Sequence, residues 1–317
     1  MFKRFTFFLL VICFAITCHA QVLSTYAADS VNGFRQINGL KSPYYVLDHL
    51  SASSTAAYSL RKLRSAYNGA DINVRRSSDN TARDIGFVGL SLDTATLLSF
   101  CAATYCFLTE WYDESGNGNN LVQSNASYQP VIVSAGALQI QNGLPSGSFM
   151  GGFLTSSSIT GAPSQFTGNI VGNMSSNASS FVRFMALLSA GDPNDYSTNT
   201  SVCLFVQTSS SVAVEAYRNS IPLSSQNITI NQLFIGSTVF GSTSNTTYIN
   251  GSAGTPVSFS ATPLGSSLTL SLGASADGSE EIIGYISEAI YFPSALSTTD
   301  RQTLEHNQEQ FYSISGM

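Results

Sequence analysis

Residues 105–112 read Tyr105-Cys106-Phe107-Leu108-Thr109-Glu110-Trp111-Tyr112, and the eight residues that follow hold two glycines and three asparagines. A short run of aromatic and β-forming residues closed by turn formers is a strand and its turn. The same text recurs at 130–134, 137–141, 181–189, 202–207, 212–217, 232–240, 246–249, 257–260, 268–272 and 282–292, with Gly, Asn, Ser and Pro between the runs. Short strands at this spacing fold into a sandwich or barrel, not into a parallel α/β sheet. The expected fold class is therefore all-β.

Upstream, two stretches have helical spacing. Residues 56–67 place Leu60, Leu63 and Tyr67 on one face, and residues 92–103 carry Leu97, Leu98 and Cys101 behind Asp93 as N-cap. Between them, Ile72, Val74 and residues 84–87 read as strands. A last helix starts at Ser297 with the capping box Ser297-x-x-Asp300 and packs through Leu304 and Phe311. No Pro-rich linker or internal repeat divides the text, so one domain over 21–317 is expected. Its weakest part is the Gly/Ser/Thr/Asn stretch 155–177.

A chain of 317 residues can bury a large core. Charged residues make up 10%, against about 25% in average globular proteins, while Ser and Thr number 77. With 43% hydrophobic residues, this composition excludes intrinsic disorder and coiled coil. A net charge of -6 argues against a nucleic-acid partner, which needs cations to neutralise phosphates. Ten of the thirteen basic residues lie at or before Arg83; only Arg183, Arg218 and Arg301 follow.

Residues 1–20 have the form of a secretory leader: Lys3 and Arg4, an apolar run over 5–17, and Ala20 at the cleavage point. The run is too short to span a bilayer, so an extracellular protein with no membrane association after cleavage is expected. The mature chain keeps Cys101, Cys106 and Cys203. The first two are spaced to close a short loop, and Cys203 is left as a buried thiol or an intermolecular risk. Seven sequons, at Asn125, Asn173, Asn177, Asn199, Asn227, Asn245 and Asn250, agree with glycosylation.

Beyond the leader only His49 and His306 remain, and no HExxH, GxSxG or phosphate cradle is present. No metal and no cofactor is expected. Carboxylates on strands and loops are what is left, and these are the equipment of glycoside hydrolysis.

Three segments are distinctive: Ala57-Tyr58-Ser59-Leu60-Arg61 with Val74-Arg75-Arg76-Ser77-Ser78-Asp79; Phe100-Cys101-Ala102-Ala103-Thr104-Tyr105-Cys106; and Trp111-Tyr112-Asp113-Glu114-Ser115-Gly116-Asn117-Gly118-Asn119-Asn120. Together they resemble the catalytic domain of secreted α-L-arabinofuranosidase B enzymes, glycoside hydrolase family 54, in which an RxSD strand, an FCxxTxC loop and a YDQSGxGN turn follow in this order. The likeness is strong over 57–123. It implies a concanavalin-like β-sandwich (jelly roll) with a few short helices near the N-terminus and one at the C-terminus, and a Cys101–Cys106 disulfide. Read on its own, 113–120 is a turn. Its alternating oxygen groups lack the closing acid of a calcium site. Of Arg75 and Arg76, on opposite strand faces, one is expected to pair with a buried carboxylate such as Asp79 or Asp84.

The family's acid/base carboxylate follows Leu-Gly-x-x-x, matched here by Leu272-Gly273-Ala274-Ser275-Ala276-Asp277, with Gly284 and Glu288 at the family's later spacings. The resemblance thus implies Asp277 as general acid, kept protonated by a drier setting, and Glu288 as a structural carboxylate satisfied by backbone donors. The family's Asp-x-Glu-Asn-Asn has its best counterpart in Glu215-Ala216-Tyr217-Arg218-Asn219. Tyr217 takes the nucleophile's place, and Glu215, two residues upstream on the same strand face, becomes the candidate nucleophile. Tyr217, Asn219, Ala276 and Cys203 are the implied substrate-binding residues; Cys203, in Val202-Cys203, stands where the family has two adjacent cysteines. The reading is a secreted retaining glycosidase, acting on terminal α-L-arabinofuranosyl or related residues of a polysaccharide. The competing reading is a non-catalytic lectin-like or structural glycoprotein of the same fold, with Trp111 and tyrosines as stacking faces for a glycan.

Overall fold

The computed structural model describes residues 44–156, 158–176, 181–207 and 213–315. The leader and Asn177 lie outside them. From Tyr45 onward the chain forms two sheet layers that share one hydrophobic core. In one layer Leu233–Phe240 pairs with Phe166–Met174, which pairs with Ile283–Phe292. That strand in turn carries Ala56–Ser59 and Gly147–Met150 on its far side. In the other, Ile221–Asn227, Ala213–Arg218, Val202–Gln207, Val182–Ser189 and Ser267–Leu272 follow in antiparallel order. Cys106–Trp111 links the two, pairing with Ile72–Arg76, Leu121–Val122 and Val131–Ser134. The expected sandwich is present.

The central strand Phe166–Met174 lies within 155–177, the stretch whose composition reads as weakest. All nine residues are buried. Phe166, Gly168, Ile170 and Gly172 turn toward the opposite layer, where a Cβ on Gly168 would stand 2.6 Å from Leu204 and one on Gly172 2.9 Å from Phe184. Glycine is required by the close approach of the layers, not by a turn. The alternate residues Thr167, Asn169 and Asn173 are polar because they lie under other segments. The Asn169 amide donates to Gln308 of the helix Thr298–Tyr312, and Thr167 donates to Ser294 O.

Two local expectations hold. Asp93 caps the helix Thr94–Cys101 by accepting the Thr96 N–H at 2.9 Å, and Ser297 caps Thr298–Tyr312 through the Asp300 N–H, each worth about 1 kcal/mol. Cys101 and Cys106 form a disulfide across 5.8 Å of Cα separation.

The helix expected at 56–67 is instead the strand Ala56–Ser59, all four residues buried and paired Ala56↔Tyr291 to Ser59↔Glu288. The Leu60 and Leu63 spacing belongs to extended chain, whose amides donate to Ser287 O and Glu114 Oε2. Arg76 does pair with Asp79, at 2.6 Å, but Asp79 is exposed, not buried. Glu288 is fully buried and structural, yet its partners are side chains: Arg61, Ser59, Gln308 and Tyr312. Trp111 is fully buried in the core and offers no face to a glycan. The Asp113 carboxylate is spent on the turn it starts, accepting from Ala57, Ser115 and Asn119 N–H groups.

Candidate active site

The site is built around Arg183, on the strand Val182–Ser189. Its guanidinium is 2% exposed and reaches Asp195 with Nε and Nη2, both at 3.1 Å. Nη1 pairs with Glu280 and donates to Phe181 O, and the backbone N–H donates to Glu280 O at 3.2 Å. One arginine thus joins its own strand to the loop over 190–201 and to the loop over 273–282. Burial alone disfavours the cation, but the Asp195 and Glu280 carboxylates outweigh it and hold Arg183 charged.

Two adjoining hollows share Arg183, Tyr196 and Glu280. One, of about 120 Å³, adds Phe181, Val206 and Tyr217. The Tyr217 ring meets Phe181 edge-on at 5.9 Å and Tyr196 at 6.4 Å, forming an aromatic wall of the kind that stacks on sugar faces. The other, of about 190 Å³, adds Asp195, Ser275, Ala276, Asp277 and Ser279.

Of the residues expected from sequence, Asp277, Ala276 and Tyr217 therefore line these hollows. Asp277 is exposed rather than dry. The Ser275 and Ser279 hydroxyls and the Ser279 N–H all donate to it and hold its carboxyl below the usual range. Glu215 lies on Ala213–Arg218, opposite Val206 and on the same face as Tyr217, with a bulge between them. It is half-buried, lines neither hollow, and its carboxyl is pushed up by burial.

Cys203 does not touch the hollows. It is fully buried, its thiol faces Asp195 O at 3.4 Å, and burial pushes its pKa well up, so it contributes no sugar-facing surface. Asn219 is likewise absent from both. With φ of 52°, followed by Ser220 at 58°, it forms the tight turn into Ile221–Asn227, where Asn tolerates the left-handed conformation.

Sequence reasoning missed Asp195, Tyr196 and Glu280. Arg183 carried a signal, being one of three basic residues in the C-terminal two-thirds. Glu280 carried none, beside Glu281 in loop text. It borders both hollows at φ 57°, an uncommon conformation for a non-glycine residue, and burial, partly offset by Arg183, pushes its carboxyl up. Asp277 adds to that shift, so the two acids sense each other across one hollow.

A family model described as "Alpha-L-arabinofuranosidase B, catalytic" matches residues 47–143. Curated relatives include the "Probable alpha-L-arabinofuranosidase B" of Aspergillus flavus, 48% identical over 66 residues, and the "Alpha-L-arabinofuranosidase B" of Aspergillus oryzae, 47% identical over 66 residues. Each alignment covers 20% of this chain and 13% of the relative. Among solved structures, an arabinofuranosidase complexed with arabinofuranosyl-alpha-1,2-xylobiose superposes with a TM-score of 0.64 at 17% identity, covering 84% of this chain and 64% of the other. A GH54 a-l-arabinofuranosidase soaked with a cyclic sulfate inhibitor gives 0.60 at 18%, with the same coverage. The resemblance read from the N-terminal segments is thus matched in sequence, and the fold is shared over most of the chain.

Proposed function

We propose that this is a secreted, extracellular, single-domain glycoside hydrolase that removes terminal α-L-arabinofuranosyl or related residues from a polysaccharide by a retaining, two-carboxylate mechanism. The observation that carries the proposal is the pair of joined hollows around Arg183, with Asp277 on one rim and Tyr217, on the strand of Glu215, at the other. Glu215, outside both hollows in the free protein, turns in beside Tyr217 on the bound sugar and attacks the anomeric carbon; Asp277 protonates the departing oxygen and then activates water.

In the free protein the two carboxyls are ordered against these roles, since Glu215 is pushed up and Asp277 held down. A furanose seated over exposed Asp277 removes water from it, and desolvation favours its neutral, proton-donating form. The acid is made by substrate binding. The test is hydrolysis of an aryl α-L-arabinofuranoside. Asp277→Asn and Glu215→Gln each lower kcat by at least about 100-fold with the fold intact. Full activity in both variants overturns the proposal.

The tyrosine in the nucleophile's place favours a second reading, a lectin-like module in which the Phe181, Tyr196 and Tyr217 rings bind a glycan without turnover. Binding on a glycan array with no hydrolysis decides for it.

A further inference from the structure

We infer that Asn250 carries an N-linked glycan and that the hollow beside it seats the first N-acetylglucosamine. This rests on the secretory part of the proposed function and is independent of the Arg183 site.

The structure sorts the described sequons. Asn245 is fully buried with its amide spent: the carbonyl accepts the Ser224 N–H, and the nitrogen donates to Thr238 and Val239 O. Asn173 is 4% exposed, and its nitrogen donates to Gln141 at 2.6 Å. Both are closed to modification in the folded chain. Asn125, Asn199 and Asn227 are exposed.

Asn250 is set apart from these three by the hollow it borders. It turns the chain between Ser244–Ile249 and Ser252–Ala253 with φ of 47°, followed by Gly251 at 76°, the conformation an Asn-Gly hairpin supplies. Its N–H donates to Ile235 O and its Oδ1 accepts the Ile235 N–H, both at 2.9 Å. The carbonyl arm is locked to the neighbouring strand. The other arm, Nδ2, is the nitrogen that a sequon offers, and it has no hydrogen-bond partner among the described residues.

Asn250 lines a hollow of about 250 Å³ with Ser252, Arg301, Gln302, Glu305 and His306. Its floor is built. Arg301 lies 3.7 Å over the Tyr248 ring and pairs with Glu305, which is 1% exposed. The buried Glu305 carboxylate is held from the inner side by the Ser237 hydroxyl as well. Every residue that lines the hollow is polar or glycine, as a sugar ring with its hydroxyls and acetamide requires. Gln302 and His306 at the rim offer further polar contacts to the same ring.

The covalent step uses a lipid diphosphate-linked oligosaccharide as donor. A bond forms from Nδ2 to C1 of N-acetylglucosamine, the C1–O bond to the diphosphate breaks, the amide gives up one proton, and the lipid diphosphate leaves.

The test compares the full chain made in a glycosylating eukaryotic host with the chain made in bacteria. Enzymatic deglycosylation in heavy-oxygen water, read by mass spectrometry, labels Asn250 and leaves Asn173 and Asn245 unlabelled. Ser252→Ala keeps the Asn-Gly turn but destroys the sequon. It lowers Tm by about 3 °C in the eukaryotic product and leaves the bacterial product unchanged. Label at Asn125, Asn199 or Asn227 without label at Asn250 overturns the inference and leaves the secretory reading standing. No label at any sequon in a chain recovered from the medium overturns the inference alone, whereas a chain kept inside the cell with its leader attached overturns both. An equal Tm change in both hosts overturns the sugar seat.

Discussion

Arg61 and Arg183 are each 2% exposed and each grips a carboxylate with two nitrogens, yet they do opposite things. Arg61 holds Glu288, gives its remaining arm to Asn307 at 2.6 Å, and lies 4.7 Å over the Phe311 ring. Its partners are roofed by the C-terminal helix. Arg183 holds Asp195, but its third partner, Glu280, is 31% exposed at a hollow. A closed guanidinium network is scaffold; an open one leaves charge for a ligand. The segment matched by the family model contains Arg61 and excludes Arg183, so the sequence likeness follows the scaffold more closely than the site.

The largest expected effect is on stability, and activity is what separates the two. Arg61→Ala strands Glu288 without its cation and costs about 3–5 kcal/mol, read as the shift in denaturant midpoint. Arg183→Ala strands Asp195, itself 2% exposed, and costs a comparable amount although Glu280 can turn to water; its distinguishing effect falls on glycan binding and turnover. If each folded Arg183→Ala molecule keeps full activity, the contrast is broken.

A smaller effect lies wholly on the scaffold side. Asp71 and Glu114 are fully buried and electrostatically coupled. Neither Asp71 oxygen nor Glu114 Oε1 has a donor within 3.5 Å, and the Trp111 indole N–H, which faces Asp71, only partly offsets its burial. Burial first, and then mutual repulsion for Asp71, pushes its carboxyl well above the usual range. Burial does the same for Glu114 against the pull of the Leu63 N–H. Folded values above unfolded ones mean that the native state holds the protons more tightly. Stability is therefore greatest below the unfolded carboxyl range and falls as pH rises from there through the raised folded values. Glu114→Gln, which restores the residue of the YDQSGxGN pattern, supplies an amide donor beside Asp71 and removes one titrating group. It raises stability by about 1 kcal/mol at pH 8 and flattens the decline, measured as Tm between pH 4 and 8. A steeper decline in the variant contradicts this account.

The fold was legible wherever local text and burial agree. Val202–Gln207 and Ile283–Phe292 read as strands because their apolar content matches what they bury. Phe166–Met174 did not, since its glycines answer to Leu204 and Phe184, and its Thr and Asn side chains to segments far away in sequence. Ala56–Ser59 was misread because a strand buried along its whole length shows no alternation and can mimic helical spacing. The same limit applies to the site. Asp277 and Tyr217 were visible through motif spacing, whereas Asp195, Tyr196 and Glu280 come together only because two loops fold over one arginine.

The finest test acts on Asp277 without touching either arginine. Ser279 donates to its carboxylate through both N–H and hydroxyl, and Ser279→Ala removes the hydroxyl bond, together with its 3.0 Å contact to the Ser275 hydroxyl, while keeping the N–H bond. With less stabilisation of the charged form, the Asp277 pKa rises. In the proposed mechanism Asp277 is the protonated acid of the substrate complex, where bound sugar has desolvated it, so the basic limb of kcat, which reports that complex, moves to higher pH and kcat at neutral pH gains about threefold. That gain is worth under about 1 kcal/mol, as expected for an exposed charge-assisted bond. Folding stability stays within about 0.5 kcal/mol. The acid limb, set by Glu215 as the group that must be ionised, does not move. If instead the basic limb stays fixed while the acid limb shifts upward, Asp277 is the ionised partner and Glu215 the acid, and the open loop, not the strand, carries the nucleophile.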